Sequence, residues 1–365
     1  MFEQIKEFIN PSKNPDLTQA HEFQRQHLPT LWLLGKTGAG KSSFIQAVTG
    51  LSSVEVGNGF EPCTMTAQAY EFPQDKPVMR FLDTRGLGEA DYNPAQDLKE
   101  IGESGNAIVV VMKADEPEQS AVLKALKQIK KNKQIKHLLL IHSAVLLSEV
   151  NERARQVAFN ENQVYEVWGK DLQSVSVDFE QDDGRVYNYD LLLSELTNIL
   201  PVINLLVEDK EHATVESENF DKMQNEVLWY AGSASASDLI PGVGLVSVPA
   251  IQAKMLHGLA NQYGVEWNKR TFSELIGTLG SGFALQYSVK LGARQLIKLI
   301  PVYGQTVGAV TAAAMSFGTT YGLGRTACYY FYHKSKGEAV SDQAMQELYK
   351  NSLKKGKAAS GYEKN

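Results

Sequence analysis

The residues with the clearest chemical pattern lie in "LLGKTGAGKSSFIQAV", between an apolar run and a helical pattern. Gly35, Gly40, Lys41 and Ser42 satisfy the spacing G-x-x-x-x-G-K-[ST]. In this pattern the backbone amides curl around a β-phosphate, the lysine bridges the β- and γ-phosphates, and the hydroxyl binds Mg²⁺. The sequence therefore predicts a nucleoside triphosphate site with Mg²⁺ as cofactor. The predicted binding loop consists of Gly35, Lys36, Thr37, Gly38, Ala39, Gly40, Lys41, Ser42 and Ser43.

A second element, "MRFLDTRGLGE", ends an apolar run at Asp83, about 40 residues after the loop. A carboxylate at the carboxyl end of a strand beside a phosphate loop is well placed to help hold Mg²⁺. Three residues further on, the Gly86 amide can approach a γ-phosphate because no Cβ stands in the way. Asp83 and Gly86 are therefore predicted to contact the nucleotide.

The segment between these elements, "GNGFEPCTMTAQAYEF", is polar and contains two glycines. This composition favours a mobile loop in which one threonine closes over Mg²⁺ and the γ-phosphate. Thr64 is the first choice and Thr66 the alternative, while an ordinary surface turn is the competing interpretation. The predicted metal ligands are Ser42, Thr64 and Asp83, and the predicted catalytic residues are Lys41, Thr64 and Gly86.

The elements that would position these residues alternate between short apolar runs and helical patterns over residues 30–200. This alternation is typical of a mostly parallel sheet covered by helices on both faces. We expect an α/β fold, a three-layer α/β/α P-loop NTPase domain, followed by an all-α helical domain rich in glycine and alanine. The predicted divisions are an N-terminal helix (1–28), the α/β domain (29–200), the helical domain (201–350) and a flexible basic tail (351–365).

Composition narrows the class of protein further. The chain has 365 residues and a formal net charge of -6, which argues against a surface built for nucleic acid, so no DNA partner is expected. Its two cysteines, Cys63 and Cys328, are too few for a disulfide framework and fit a reducing compartment. The first residues lack the apolar core of a secretory signal, so a cytoplasmic location is expected.

Together, "GKTGAGKSS", "PCT" and "DTRGLGE" resemble the Era/TrmE-like branch of the small GTPases, and more distantly the immunity-related GTPases. The resemblance implies a Mg²⁺-dependent GTPase domain that binds GTP or GDP. It also implies two switch loops, at about residues 57–69 and 84–96.

The sequence departs from these GTPases where they read guanine with an N/T-K/Q-x-D motif. The matching stretch, "LLLIHSAVLLSE", has His142 and Ser143 in the Asn and Lys positions and Val145 in place of the Asp. Ser176 stands where the family's S-A-K loop approaches the base. The resemblance therefore implies base contacts from His142, Ser143 and Ser176, and guanine as partner. Since valine cannot accept the two guanine N–H bonds, either Glu149 or another acceptor substitutes, or base selectivity is relaxed.

A second departure concerns hydrolysis. Leu87 occupies the position where Ras-like enzymes carry the glutamine that orients water. We expect a switch protein with slow hydrolysis, stimulated by self-association or a protein effector and coupled to the helical domain. Arg85 is either a cation that assists hydrolysis or a solvated switch residue. The alternative function is a nucleotide-binding scaffold with little turnover.

The second half, from "SDLIPGVGLVSVP" onward, resembles the YcjF-like C-terminal helical domain found with bacterial GTPase domains. Between residues 269 and 334 lie seven basic residues, one acidic residue, small residues spaced four apart, and the aromatic run "YYFYHK". One interpretation is a dynamin-like contact with an anionic membrane surface, at the inner face of the membrane. The other is a helical bundle packed through its small residues.

Overall fold

The computed structural model of the chain describes residues 15–51, 61–62, 67–84, 106–131, 135–147, 149–169, 172–179, 185–207, 214–240, 244–280 and 307–361. The chain divides into two units, one of residues 27–207 and one of residues 1–26 with 208–365. The predicted division at residue 200 therefore falls seven residues later. The first described helix, Pro15–Gln26, is grouped with the C-terminal half.

The first unit is built on a seven-stranded sheet with the order β2-β3-β4-β1-β5-β6-β7. Strands β4, β1, β5, β6 and β7 are parallel, and β2 and β3 form an antiparallel edge. The strands are β1 Thr30–Leu34, β2 Glu61–Pro62, β3 Ala67–Phe72, β4 Met79–Thr84, β5 Asn106–Lys113, β6 Ile135–Ser143 and β7 Gln173–Ser176.

Eleven helices occur in the described part of the chain, apart from a short 3₁₀ turn at Val145–Leu147. Those of the first unit are α2 to α6, and α1 with α7 to α11 belong to the second. The helices are α1 Pro15–Gln26, α2 Lys41–Thr49, α3 Ser120–Ile129, α4 Val150–Trp168, α5 Tyr189–Ile199, α6 Val202–Val207, α7 Val215–Leu239, α8 Gly244–Gln262, α9 Lys269–Thr278, α10 Val307–Ser335 and α11 Asp342–Ala359.

Both faces of the sheet are buried at its centre, which explains why β1, β5 and β6 are nearly continuous apolar runs. On β1, Leu31 and Leu33 belong to the core under α2 and α5. Trp32 and Leu34 belong to the core under α3 and α4. This is a three-layer α/β/α arrangement, and the predicted fold class is confirmed.

The structure also contains elements that the sequence did not predict. Strands β2 and β3 lie partly inside the segment predicted as a switch loop at 57–69, because β3 pairs with β4 from Ala67 onward. Helix α4 covers one face of the sheet, although only Asn160 and Val164 of its 19 residues are buried. Of the predicted N-terminal helix (1–28), residues 1–14 lie outside the described residues.

The second unit is a bundle in which α10 packs along α7, α8 and α11. Gly318 and Gly356 stand in direct contact, since a Cβ on Gly356 would meet the Gly318 Cα at 3.0 Å. The small residues predicted to let helix backbones approach do so here. The tail predicted as flexible from residue 351 is helical to Ala359, because this contact holds α11 against α10.

A buried ion pair joins two helices of the same bundle. The Arg325 guanidinium on α10 donates to both carboxylate oxygens of Glu216 on α7, at 2.7 and 2.8 Å. The Phe220 ring lies 4.4 Å from the guanidinium carbon. A two-bonded pair of this kind fixes the register of the two helices as well as neutralising both charges.

Candidate nucleotide site

The predicted phosphate loop connects β1 to α2 at the carboxyl edge of the sheet. Its shape requires glycine at three positions. Gly38 and Gly40 have φ values of +79° and +98°, in the left-handed region that favours glycine. A Cβ on Gly35 would lie 2.5 Å from the backbone oxygen of Val111 on the neighbouring strand β5. The loop therefore packs closely against β5 at Gly35 and adopts a left-handed backbone conformation at Gly38 and Gly40.

Lys41 is the first residue of α2, and its ammonium group turns back over the loop. It donates to the carbonyl oxygens of Gly35 at 2.9 Å and Lys36 at 3.2 Å. Its nitrogen also lies 3.8 Å from a carboxylate oxygen of Asp83. Asp83 reaches this point because β4 runs parallel to β1, with Asp83 paired in register to Leu33. Two predicted site residues, about 40 positions apart in sequence, are thus brought together.

The oxygen donors around this lysine suit a hard cation. The Ser42 hydroxyl is on the first turn of α2 and exposed, and the Asp83 carboxylate is buried on the adjacent strand. Carboxylate and hydroxyl oxygens are the ligands that Mg²⁺ prefers, so these residues fit a Mg²⁺ ion. Among the described residues, no group of three or more His, Cys, Asp or Glu side chains could hold a metal by itself.

Lys36 is also in the predicted loop, but its side chain is bound elsewhere. Its ammonium lies 2.6 Å from Glu116 and 2.7 Å from Glu118, two residues that follow β5. The hydrogen bond to Glu116 raises the pKa of Lys36, and the hydrogen bond from Lys36 lowers the pKa of Glu118 to about 2. Sequence reasoning missed these two carboxylates. The acidic run "ADEPEQS", directly after a buried strand, could have indicated them.

His142 and Ser143, two of the residues predicted to contact the base, lie on opposite faces of β6. The Ser143 hydroxyl donates to the Ala39 carbonyl of the phosphate loop at 2.7 Å. His142 faces the opposite side, in register with Met112 and in the layer under α3 and α4. It is fully buried, and neither ring nitrogen has a hydrogen-bond partner among the described residues. Burial lowers the pKa of His142 to about 4, so the ring is neutral.

Two further residues hold this corner: Asp178, from the same stretch as Ser176, and Asn188. Asp178, just after β7, accepts a hydrogen bond from the Leu146 amide at 3.1 Å. Asn188 donates from its side chain to the carbonyl oxygen of Ser176 at 2.9 Å. Ser176 itself lies at the end of β7, paired in register with His142. The backbone around Ser176 is therefore fixed by Asn188, a residue twelve positions later.

Several predicted residues lie outside the described residues. These are Thr64 and its alternative Thr66, and also Arg85, Gly86 and Leu87. Most of the two predicted switch loops falls in the same category. Their roles remain predictions from the sequence.

The segment 269–334, predicted as a membrane contact, is described at 269–280 and 307–334. Tyr330, Phe331 and Tyr332 of the aromatic run are buried. Lys334 pairs with Glu274, which also accepts from Arg270 at 2.8 Å. None of the helices in the described part of the chain combines the length and apolar character that a membrane span requires.

The strand–loop–helix with Lys41, beside a parallel strand that carries Asp83 near its end, defines a P-loop domain. Residues 30–143 match the model of the 50S ribosome-binding GTPase family, so this part of the chain is similar to that family. The Era/TrmE-like and YcjF-like resemblances remain resemblances.

One curated relative is Magnetosome membrane protein 22 of Magnetospirillum gryphiswaldense, 28% identical over 137 residues. The match covers 37% of this chain and 70% of the relative.

Two similar solved structures are the bacterial selenocysteine-specific elongation factor EF-Sec and the translation elongation factor SelB of Methanococcus maripaludis bound to the GTP analogue GppNHp. The identities are 14% and 13%, and the TM-scores are 0.35 and 0.32. Each match covers 47% of this chain, but only 28% of EF-Sec and 34% of SelB. The matches thus span about a third of these factors.

Proposed function

We propose that the protein is a Mg²⁺-dependent guanine-nucleotide switch with slow GTP hydrolysis, whose bound state is transmitted to the helical unit. The observation that carries the proposal is the position of the Lys41 ammonium, directed over the phosphate loop and 3.8 Å from Asp83. The Lys41 ammonium donates to neutral carbonyl oxygens of the loop, and it can exchange these hydrogen bonds for stronger ones to charged phosphate oxygens.

In the proposed site, the amides of residues 36–42 and the Lys41 ammonium bind the phosphates. Ser42 and Asp83 hold Mg²⁺, Asp83 directly or through water, and Thr64 completes the metal site from the first switch loop. The ion neutralises charge on the β- and γ-phosphates. The Gly86 amide meets the γ-phosphate, so loss of that group on hydrolysis releases both switch loops.

Slow turnover is proposed because Leu87 has no hydrogen-bonding group with which to orient water. Hydrolysis then depends on a second copy of the chain or on a protein effector to complete the site. A scaffold with little turnover is the competing proposal. A rise in turnover per molecule with increasing protein concentration would exclude the scaffold.

Binding of a fluorescent GTP analogue, with and without Mg²⁺, tests the proposal. The Lys41→Ala change removes two charge-assisted contacts worth about 1.5–3 kcal/mol each, so affinity should fall more than ~100-fold. Lys36→Ala is the matched control, since the Lys36 ammonium is bound by Glu116 and Glu118, and its affinity should change less than about fivefold. Equal binding by wild type and Lys41→Ala would refute the proposed site.

A second candidate function is association with an anionic membrane surface, in a cytoplasmic protein located peripherally at the inner face. The observation favouring it is the relative, which is named as a membrane protein of the magnetosome. The charged residues Lys269 and Arg270 at the start of α9 would contribute to such a surface. Sedimentation with anionic vesicles at low salt, compared with neutral vesicles, tests this proposal, and equal sedimentation with both would exclude it.

A further inference from the structure

Helix α4 has an outward face that contributes little to the core of its own unit. Only Asn160 and Val164 of its 19 residues are buried. Of the eight large hydrophobic residues that are exposed in the described part of the chain, three are on this helix: Val150, Phe159 and Tyr165. The rings of Phe159 and Tyr165 therefore remain in water, and their concentration on one helix is typical of a contact surface.

Four exposed residues of α4 follow one another at intervals of four, three and four: Arg155, Phe159, Asn162 and Glu166. With 3.6 residues per turn, these intervals place the four side chains in one stripe along the helix. The order of the intervals is the same when it is read from either end. A second copy of α4, laid antiparallel on the first, therefore brings Arg155 opposite Glu166 and Phe159 opposite Asn162.

The two ends of the stripe carry opposite charges. Neither Arg155 nor Glu166 makes an ion pair or a hydrogen bond with another described residue. Each lies about 8 Å along the helix axis from the midpoint of the stripe. In an antiparallel pair, the arginine of one copy therefore meets the glutamate of the other at both ends, whereas a parallel pair would place like charges together. The stripe is complementary in charge to a reversed copy of itself.

The centre of the stripe suits close packing between two helices. Phe159 and Asn162 lie about 2 Å on either side of the midpoint, so the two Phe159 rings of an antiparallel pair come about 4.5 Å apart along the axis. Rings at this separation pack against each other and are removed from water. Ala158, which is also exposed, lies directly beside Phe159 and is small enough to let the helices approach.

We infer that α4 is an interface between two copies of this chain. The two α4 helices pair antiparallel through Phe159, with Arg155 of each copy on Glu166 of the other. The inference goes beyond the proposed function, since it uses no residue of the candidate nucleotide site. One helix from each copy buries a small area, so we expect a weak dimer with a dissociation constant of about 10–100 μM.

Sedimentation equilibrium of the full chain over about 1–500 μM measures this dissociation constant. Phe159→Asp places two like charges at the centre of the contact and should raise the constant at least ~20-fold. Leu191→Asp on α5 is the matched control, because Leu191 is 48% exposed and Phe159 is 47% exposed. The control should leave the constant unchanged, and denaturant unfolding checks that both variants are folded.

Exchange of charges tests the antiparallel arrangement. Arg155→Glu and Glu166→Arg each place like charges opposite each other at both ends, so each alone should weaken the dimer about tenfold. The double variant should restore it, because opposite charges meet again. A mixture of the two single variants should form heterodimers, since every pair then joins a glutamate to an arginine. Lys124→Glu on α3 changes the net charge as much as Arg155→Glu does and should have no effect.

Three outcomes would overturn the inference. The first is a chain that remains monomeric at about 500 μM, both with and without a GTP analogue. The second is a dimer that Leu191→Asp weakens as much as Phe159→Asp does. The third is a dimer that both single charge variants weaken but that neither the double variant nor the mixture restores, because its helices would then not pair in this register.

Discussion

The substitution Gly35→Ala tests whether the phosphate loop depends on close contact with the sheet. A Cβ at this position would lie 2.5 Å from the Val111 carbonyl oxygen, where ordinary contacts are 3.4–4 Å. The obstacle is backbone of a central strand with neighbours on both sides, so the strand cannot move aside. The loop must therefore shift by about 1 Å to accept the added carbon.

The size of the effect follows from what this shift disturbs. Overpacking of a buried position costs about 1–3 kcal/mol of folding free energy. The Gly35 carbonyl also accepts the shorter of the two bonds from the Lys41 ammonium, at 2.9 Å. Losing the orientation of one charged donor costs a further ~1.5–3 kcal/mol in nucleotide binding, which corresponds to about 10- to 150-fold in the dissociation constant.

Denaturant unfolding and titration with a fluorescent GTP analogue measure the two quantities separately. Gly50→Ala is the control, because Gly50 also has a positive φ, of +70°, but has nothing within 4 Å of its Cβ position. It should cost about 1 kcal/mol of stability and leave the dissociation constant unchanged. The reasoning fails if Gly35→Ala binds GTP within about threefold of wild type, or if Gly50→Ala weakens binding equally.

Three further predictions concern stability. Arg325→Met should destabilise the helical unit by about 3–5 kcal/mol in denaturant unfolding by leaving Glu216 charged and buried, and adding Glu216→Leu should restore most of the loss. Because the pKa of His142 is lowered from 6.5 to about 4, the unfolded state binds more protons in this range. The free energy of unfolding should therefore fall by about 3 kcal/mol from pH 6.5 to 4, and His142→Phe should abolish that part of the pH dependence. Ser143→Ala should cost about 1 kcal/mol in the same unfolding assay and weaken GTP binding, because the Ala39 carbonyl loses its donor.

The parts of the fold that the sequence predicted are those in which local pattern and burial agree. The central parallel strands β1, β5 and β6 are buried on both faces, so their apolar runs are long enough to recognise. Helix α4 escaped prediction because Asn160 and Val164 are its only buried residues, which is too few to produce a helical period. Strand β3 is at the antiparallel end of the sheet, in a segment whose polar composition suggested a loop.

The C-terminal tail shows how composition can mislead. Small and basic residues from 351 onward favoured a flexible end. In the bundle, however, the absence of a side chain on Gly356 and Gly318 is what allows α11 and α10 to touch. Glycine lowers helix propensity locally but allows two helices to pack closely, and the position of the partner helix decides which effect is larger.

Some features of the nucleotide site depend on residues that are close in sequence, and others depend on residues that only the fold brings together. The loop around Lys41 is formed by eight consecutive residues, so its pattern could be recognised in the sequence. The base side requires β6, β7 and the turn after each to be adjacent, and no spacing along the chain links Leu146 to Asp178. The ion pair of Lys36 with Glu116, 80 positions apart, escaped prediction for the same reason.

His142 and Ser143 show why a motif match could not assign the base contacts. Side chains alternate across a strand, so two consecutive residues at the end of β6 must face opposite layers. Since Ser143 reaches the phosphate loop, His142 is directed into the core under α3 and α4, whatever its ability to bind a base. The alternation of side chains along β6 therefore determines which of these two residues can face the nucleotide.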